Sequence, residues 1–157
     1  MVTIDKKLKV LELFAKRLNE ADINWAIGAS LLLYFKNIVE DFNDIDVVLE
    51  VDGVIKLQEI FEELGAEALP ISDNGGFKTT CFLKYVLDGV LIDVMAGFKV
   101  VDESGTHDCS FKASDVSECY MLNGIKIPLD KLNNWERYYS LLKRPNKVKL
   151  IQDYLKK

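Results

Sequence analysis

The sequence predicts an α/β or α+β fold in which helices pack on one mixed β-sheet. Amphipathic helical segments alternate with short apolar strands along most of the chain, as expected when helices cover the faces of a sheet. Asp88-Gly89 separates two apolar runs, which indicates a tight hairpin and therefore some antiparallel pairing. The length suits a single domain over residues 1–157, with a core of about 1–98 and a C-terminal hairpin and helices over about 99–157.

The first part of the core is predicted to contain two helices and two strands. Residues 4–19 carry apolar side chains at helical spacing, and Thr3 is a candidate N-cap. A short buried strand follows over 23–27, and a second helix over 30–35. The next apolar run, 45–51, alternates as a strand does.

The second part of the core is predicted to contain one more helix and a meander of strands. Residues 53–64 are amphipathic, and Gly65 stands where a glycine commonly ends a helix. The remaining predicted elements of the core are strands at 66–71, 79–87 and 90–95, with a flexible turn at 72–76.

The C-terminal part is predicted to begin irregularly and to end in helices. Residues 99–115 show no clear period, whereas Asn123-Gly124 indicates a second hairpin. Two helices are expected over 129–143 and 145–155, the second with a proline at its first position.

Composition is that of an ordinary globular protein, with 49% hydrophobic and 29% charged residues. The N-terminus lacks the pattern of a secretory signal, and no apolar run is long enough to cross a bilayer, so no membrane association is expected. The cysteines Cys81, Cys109 and Cys119 are odd in number and have no CxxC spacing. This favours a reducing compartment, and we expect a cytoplasmic protein.

Charge is distributed unevenly around a net value of −5. Residues 131–157 carry eight Lys or Arg side chains against two acidic ones, while the rest of the chain is acidic. An acidic body argues against a broad nucleic-acid-binding surface, which needs many basic contacts to phosphates. The basic C-terminal segment suits either contact with a triphosphate or a solvated helix face.

The Gly28-Ala29-Ser30 turn joins a strand to a helix and is a candidate phosphate-binding turn. Gly28 allows the backbone to approach a ligand closely, and the N–H groups of the following helix start attract an anion. Ser30 adds a hydroxyl donor. The simpler interpretation is that Ser30 caps the helix and Gly28 only turns the chain.

Three aspartates are candidate metal ligands. Asp44 and Asp46 project on the same side of an extended strand, while Ile45 and its alternate neighbours face the core. Asp93 stands in a strongly apolar hairpin strand, where a lone carboxylate loses solvation unless a cation or hydrogen bonds compensate. Mg²⁺ favours such oxygen ligands, and Mg²⁺ held by them assists phosphoryl or nucleotidyl transfer. Polar turns near Asp44 and an edge position for Asp93 are the alternatives.

This order of elements resembles the polymerase-β-like nucleotidyltransferase superfamily, especially its minimal and antibiotic-modifying members. The resemblance is most specific over 25–51 together with Asp93. It implies that Gly28 and Ser30 contact the nucleotide phosphates. It further implies that Asp44 and Asp46 bind Mg²⁺, and that Asp93 binds metal or acts as general base toward an acceptor hydroxyl.

Two features differ from the pattern of that superfamily. Many members have a second glycine where Ala29 stands, and many carry an Arg-Pro-Lys-Asp-like run where this chain reads Arg144-Pro145-Asn146-Lys147. Arg144 and Lys147 are therefore candidates for nucleotide phosphate or substrate contact.

The resemblance implies a Mg²⁺-dependent nucleotidyltransferase that moves AMP from ATP to an acceptor hydroxyl, with an aminoglycoside- or lincosamide-like molecule as one acceptor class. Glu40, Asp41 and Glu50 are acidic residues expected near the cleft, where they would favour a cationic acceptor. One alternative is an antitoxin-like regulatory protein that binds or modifies a protein partner. Another is a domain that binds nucleotide without catalysis. His107, the only histidine, is expected in a surface loop with too few partners for zinc.

Overall fold

The structure is a computed structural model that describes residues 2–70 and 81–157. The predicted turn over 72–76 lies outside these residues, as do the last residue of the predicted strand 66–71 and the first two of the strand 79–87.

Five helices and nine strands make up the described fold, with short 3₁₀ turns at Val51–Gly53 and Ala113–Asp115. The helices are α1 (Ile4–Glu20), α2 (Ala29–Phe35), α3 (Val54–Glu63), α4 (Leu132–Leu141) and α5 (Pro145–Leu155). The strands are β1 (Trp25–Gly28), β2 (Ile45–Leu49), β3 (Glu67–Leu69), β4 (Cys81–Leu87), β5 (Val90–Ala96), β6 (Lys99–Asp102), β7 (Gly105–Asp108), β8 (Glu118–Leu122) and β9 (Ile125–Leu129).

Seven of these strands form one mixed sheet in the order β3-β4-β5-β2-β1-β9-β8. β2 runs parallel to β5 and β1 runs parallel to β9, whereas the other neighbouring pairs are antiparallel. β6 and β7 form a separate two-stranded hairpin. The prediction of one mixed sheet with helices packed on it is confirmed.

Local sequence signals account for several element boundaries. The Thr3 hydroxyl accepts a hydrogen bond from the Lys6 N–H at 3.2 Å and begins α1 as predicted. Gly65 follows α3 with a φ of +84°, the left-handed conformation in which glycine commonly ends a helix. Both residues of the Asp88-Gly89 turn also have positive φ, 51° and 79°, as a two-residue hairpin requires.

Three predictions of local structure were wrong. The segment 99–115 is not irregular throughout, because β6 and β7 pair across a tight turn over residues 99–108. The strand predicted over 45–51 ends at Leu49, and Val51 lies in a 3₁₀ turn with half of its surface exposed rather than in the core. The helix predicted from Leu129 starts at Leu132, since Leu129 is the last residue of β9.

The core lies where α1, α2 and α3 pack on the central strands. Phe14 of α1 and Phe61 of α3 are fully buried, with ring centroids 5.3 Å apart. Val48 is also buried, so β2 is covered on both faces along most of its length. No helix among the described residues is long and apolar enough to span a membrane.

Candidate active site

Strand register places four residues in one row across the centre of the sheet. Gly28 of β1 pairs with Asp46 of β2, Asp46 pairs with Asp93 of β5, and Asp93 pairs with Lys84 of β4. Directly paired residues of neighbouring strands project from the same face of a sheet. Two predicted metal ligands and a lysine therefore share one face, beside the turn that begins α2.

A cleft of about 340 Å³ opens on this face. Six of the seven residues predicted to form the site line it: Ser30, Asp44, Asp46, Asp93, Arg144 and Lys147. Gly28 is not among the lining residues. The other lining residues are Ala29, Asn43, Phe82, Met95, Phe98, Trp135, Tyr139 and Leu142. Residues from the first turn of α2, from β2, β4 and β5, and from the C-terminal helices thus meet at one place.

Burial and neighbouring negative charge raise the pKa of both Asp44 and Asp46. Burial raises the pKa of Asp46 well above its usual value, and the charges of Asp93 and Asp44 add to the shift. Burial and the charge of Asp93 also raise the pKa of Asp44. Lys84 opposes the shift at both residues, and Arg144 opposes it at Asp46. A cation bound among these groups would relieve their repulsion.

Lys84 is a member of the site that the sequence interpretation missed. Its Nζ lies 3.2 Å from Asp93 Oδ1, and the Asp93 side chain is only 16% exposed. A signal was present, because a two-residue Asp88-Gly89 turn pairs residues that are symmetrical about it. The lysine four positions before Asp88 must then oppose the aspartate four positions after Gly89.

The donor chemistry of the cleft suits Mg²⁺, since carboxylate oxygens are its usual protein ligands. Among residues 2–70 and 81–157, however, no group of three Asp, Glu, His or Cys side chains is arranged to hold a metal ion. One oxygen of Asp93 is instead paired with Lys84. The joint role of Asp44, Asp46 and Asp93 as metal ligands stays a prediction.

Solved structures of other proteins share this architecture. TM1012 of Thermotoga maritima, a provisionally assigned nucleotidyltransferase, superposes with a TM-score of 0.75 and 22% identity, over 99% of this chain and 96% of its own. ANT(2'')-Ia in complex with adenylyl-2''-tobramycin gives a TM-score of 0.64 and 12% identity, over 94% and 88% of the two chains. The lincosamide adenylyltransferase LnuA, bound to lincomycin, gives 0.63 and 11%, over 98% of both.

The fold of this chain is nucleotidyltransferase-like. The structural likeness extends over nearly the whole chain, whereas the sequence identity is low enough that it shows the fold alone. No family model and no curated protein matches the sequence. Within this nucleotidyltransferase-like fold, contacts of Gly28, Trp135 and Asp130 hold the cleft in shape.

The backbone of Gly28 packs directly against the indole of Trp135. A Cβ atom at Gly28 would stand 2.5 Å from Trp135 Cε2 and Nε1, so only glycine fits this position without movement. Its φ of −140° is ordinary extended backbone. The close approach at Gly28 is thus made by a side chain of α4, and the predicted phosphate contact of Gly28 is untested.

Asp130 holds this tryptophan in place and was also missed from the sequence. It is 3% exposed, and its Oδ2 accepts a hydrogen bond from Trp135 Nε1 at 3.0 Å. Its Oδ1 accepts from the Lys131 N–H at 2.9 Å and from Asn134 Nδ2 at 3.1 Å. Burial raises the pKa of Asp130, and these hydrogen bonds oppose the shift. An aspartate just before a helix is a common N-terminal signal and could have indicated it.

Four large aromatic residues pack in the core. Trp25, Trp135, Tyr138 and Tyr139 are each no more than 3% exposed. Tyr139 also lines the cleft, where burial and the charge of Asp46 raise the pKa of its hydroxyl. It is therefore a neutral hydrogen-bonding group beside the carboxylates at physiological pH.

The acidic residues expected to surround the cleft do not line it. Asp41 pairs with Lys7 at 3.6 Å, and Glu50 accepts a hydrogen bond from the Ala113 N–H at 3.3 Å. Together with Glu40 they supply no local negative charge to the cleft wall. The argument for a cationic acceptor loses its support.

His107 lies in strand β7 rather than in the predicted surface loop, and it does not line the cleft. Its Nε2 is 3.0 Å from both Asp102 Oδ1 and Ser104 Oγ. Because both contacts use the same ring nitrogen, the imidazole does not link the serine to the carboxylate as a catalytic triad requires.

Proposed function

We propose that this protein is a Mg²⁺-dependent nucleotidyltransferase that transfers AMP from ATP to a hydroxyl group of an acceptor. The observation that carries the proposal is the pairing of Asp46 with Asp93 across β2 and β5, in the cleft that also contains Ser30, Arg144 and Lys147. In a metal-bound triphosphate, carboxylates can bind the metal ion and basic side chains can bind the phosphate oxygens, and this cleft contains both kinds of group. The nucleotidyltransferase-like fold supports the same assignment.

In this proposal, Asp44, Asp46 and Asp93 hold Mg²⁺, which when bound supplies positive charge to the phosphate oxygens. Arg144 and Lys147 contact phosphate oxygens, and Ser30 donates its hydroxyl hydrogen to one of them. Orientation and charge complementarity are the main protein contributions to phosphoryl transfer.

The proposed reaction replaces one phosphoanhydride bond of ATP with one phosphoester bond to the acceptor. The acceptor oxygen forms a bond to the α-phosphorus of ATP, the bond from that phosphorus to the bridging oxygen breaks, and pyrophosphate leaves. The hydroxyl proton passes to a carboxylate, for which Asp93 is the proposed base. Adenylyl-2''-tobramycin and lincomycin, which are bound to two structural neighbours, make aminoglycosides and lincosamides the first acceptors to test.

The proposal is tested by incubating the protein with ATP labelled at the α-phosphate, Mg²⁺ and a panel of aminoglycosides, lincosamides and cell extract. We expect labelled product and released pyrophosphate with the parent protein, and neither with Asp46→Ala. Asp153→Asn, which alters an exposed ion pair on α5, is the matched control and should behave as the parent does. Absence of both ATP binding and label transfer would contradict the proposal, and label on a protein band would favour the regulatory alternative.

A further inference from the structure

The ion pair between Lys84 and Asp93 is built into the central hairpin. The two residues oppose each other directly in the antiparallel register of β4 and β5, so the backbone keeps them adjacent. The ammonium is 3.2 Å from Asp93 Oδ1, while the Lys84 side chain remains 37% exposed. The backbone thus keeps the two residues adjacent, while the exposed lysine side chain has room to move.

The charge of Lys84 acts on all three carboxylates of the cleft. It contacts Asp93 directly, and it is the strongest favourable charge at both Asp44 and Asp46. Arg144 and Lys7 make smaller contributions, Arg144 at Asp46 and Lys7 at Asp44. Lys84 therefore reduces the repulsion among the carboxylates, as a cation bound at the same place would.

The ammonium of Lys84 also lies close to an aromatic ring. Its Nζ lies 5.8 Å from the centroid of the Phe82 ring, two residues earlier on β4, and Phe82 also lines the cleft. A cation over an aromatic face is attracted by the electron-rich ring. Release from Asp93 would leave the ammonium near this ring and near solvent.

We propose that Lys84 is a resident counter-cation that competes with a divalent metal ion for Asp93. This inference rests on the proposed function, because it assumes that Asp93 is a metal ligand. An ammonium and a divalent ion on one carboxylate repel each other strongly at such short range. Metal binding must therefore displace Lys84, and the metal-free site keeps its carboxylates together through the lysine. A lysine that served only sheet stability would leave metal affinity unchanged.

The test is a titration of the nucleotide-free protein with Mn²⁺, followed by calorimetry or by the electron paramagnetic resonance signal of free Mn²⁺. Lys84→Met removes the charge and keeps the length of the side chain, and it should bind Mn²⁺ about tenfold more tightly than the parent. Lys84→Arg keeps the charge and should bind as the parent does. Lys56→Met, which breaks an exposed ion pair on α3, is the matched control and should leave binding unchanged.

A second measurement follows thermal unfolding in a metal chelator. Without its counter-cation the carboxylate cluster repels itself, so Lys84→Met should unfold at a lower temperature than the parent, and Asp93→Asn in the same chain should restore part of the loss. Equal or weaker Mn²⁺ binding by Lys84→Met would overturn the competition. If the parent binds Mn²⁺, Asp46→Ala abolishes that binding and Lys84→Met binds no more tightly than the parent, the Lys84 inference alone is overturned. If no variant binds Mn²⁺, the metal site and the inference are overturned together.

Discussion

Gly28 and the indole of Trp135 are in direct contact, with the Gly28 Cα turned toward the ring. A Cβ atom there would approach Trp135 Cε2 and Nε1 to 2.5 Å. This contact joins the turn between β1 and α2 to helix α4, and it positions one wall of the cleft. The glycine is therefore required for packing, whether or not a phosphate also lies near it.

Replacement of this glycine should destabilise the fold by overpacking. We expect Gly28→Ala to lower the free energy of unfolding by about 2 kcal/mol, because the φ of −140° suits alanine and only the clash remains. Urea denaturation measures the change. The clash is absent from the double variant of Gly28→Ala with Trp135→Leu. Its loss of stability should therefore be smaller than the sum of the losses in the two single variants. Additive losses would show that the contact is not the cause.

Ala29 adopts a φ of +53°, a left-handed backbone conformation that residues with a Cβ rarely adopt. Ala29→Gly removes the strain, and we expect the free energy of unfolding to rise by about 1 kcal/mol. Ala21→Gly is the matched control, since Ala21 follows α1 with a φ of −88° and has no such strain to relieve. Thermal unfolding of both variants makes the comparison, and an equal effect at the two positions would contradict the prediction.

Asp130 accepts three hydrogen bonds while almost fully buried. In Asp130→Asn one acceptor oxygen becomes an NH₂ group, which must face an N–H donor of Trp135, Lys131 or Asn134. We expect a loss of about 2 kcal/mol in the free energy of unfolding. Urea denaturation of Asp153→Asn, an exposed aspartate in an ion pair on α5, should show no measurable change.

Asp46 should make the metal-free protein less stable as pH rises. Its pKa in the folded state is raised above the usual 3.8, mainly by burial. The folded state then binds the proton more tightly than the unfolded state, so stability falls as pH increases from 3.8 through the folded pKa. Asp46→Asn removes this loss and should raise the free energy of unfolding at neutral pH in a chelator.

The pH profile distinguishes this cause from a general effect of the amide. The gain from Asp46→Asn should vanish below pH 3.8, where the aspartate is protonated in both states. Asp41→Asn, at an exposed position paired with Lys7, should give no gain at any pH in this range. A gain that does not change with pH would contradict the electrostatic explanation.

Local rules predicted the elements that local interactions determine. The Asp88-Gly89 and Asn123-Gly124 turns, the Thr3 cap and the stop at Gly65 depend only on neighbouring residues, and each has the expected conformation. The hairpin of β6 and β7 was missed because its strands have few apolar residues, and its pairing shows in no regular alternation.

The amino-acid sequence alone was enough to place Asp44 and Asp46 on one side of one strand. Its Asp88-Gly89 turn also determines that Lys84 opposes Asp93, although the sequence interpretation missed this pair. Both relationships follow from chain geometry. The sequence carried no information on which strand lies beside β2. The parallel pairing that sets Asp46 next to Asp93 joins residues far apart in the chain, and the burial of a shared core selects it. The same long-range packing brings Trp135 onto Gly28 and Arg144 into the cleft, so the site depends on tertiary contacts that no local pattern encodes.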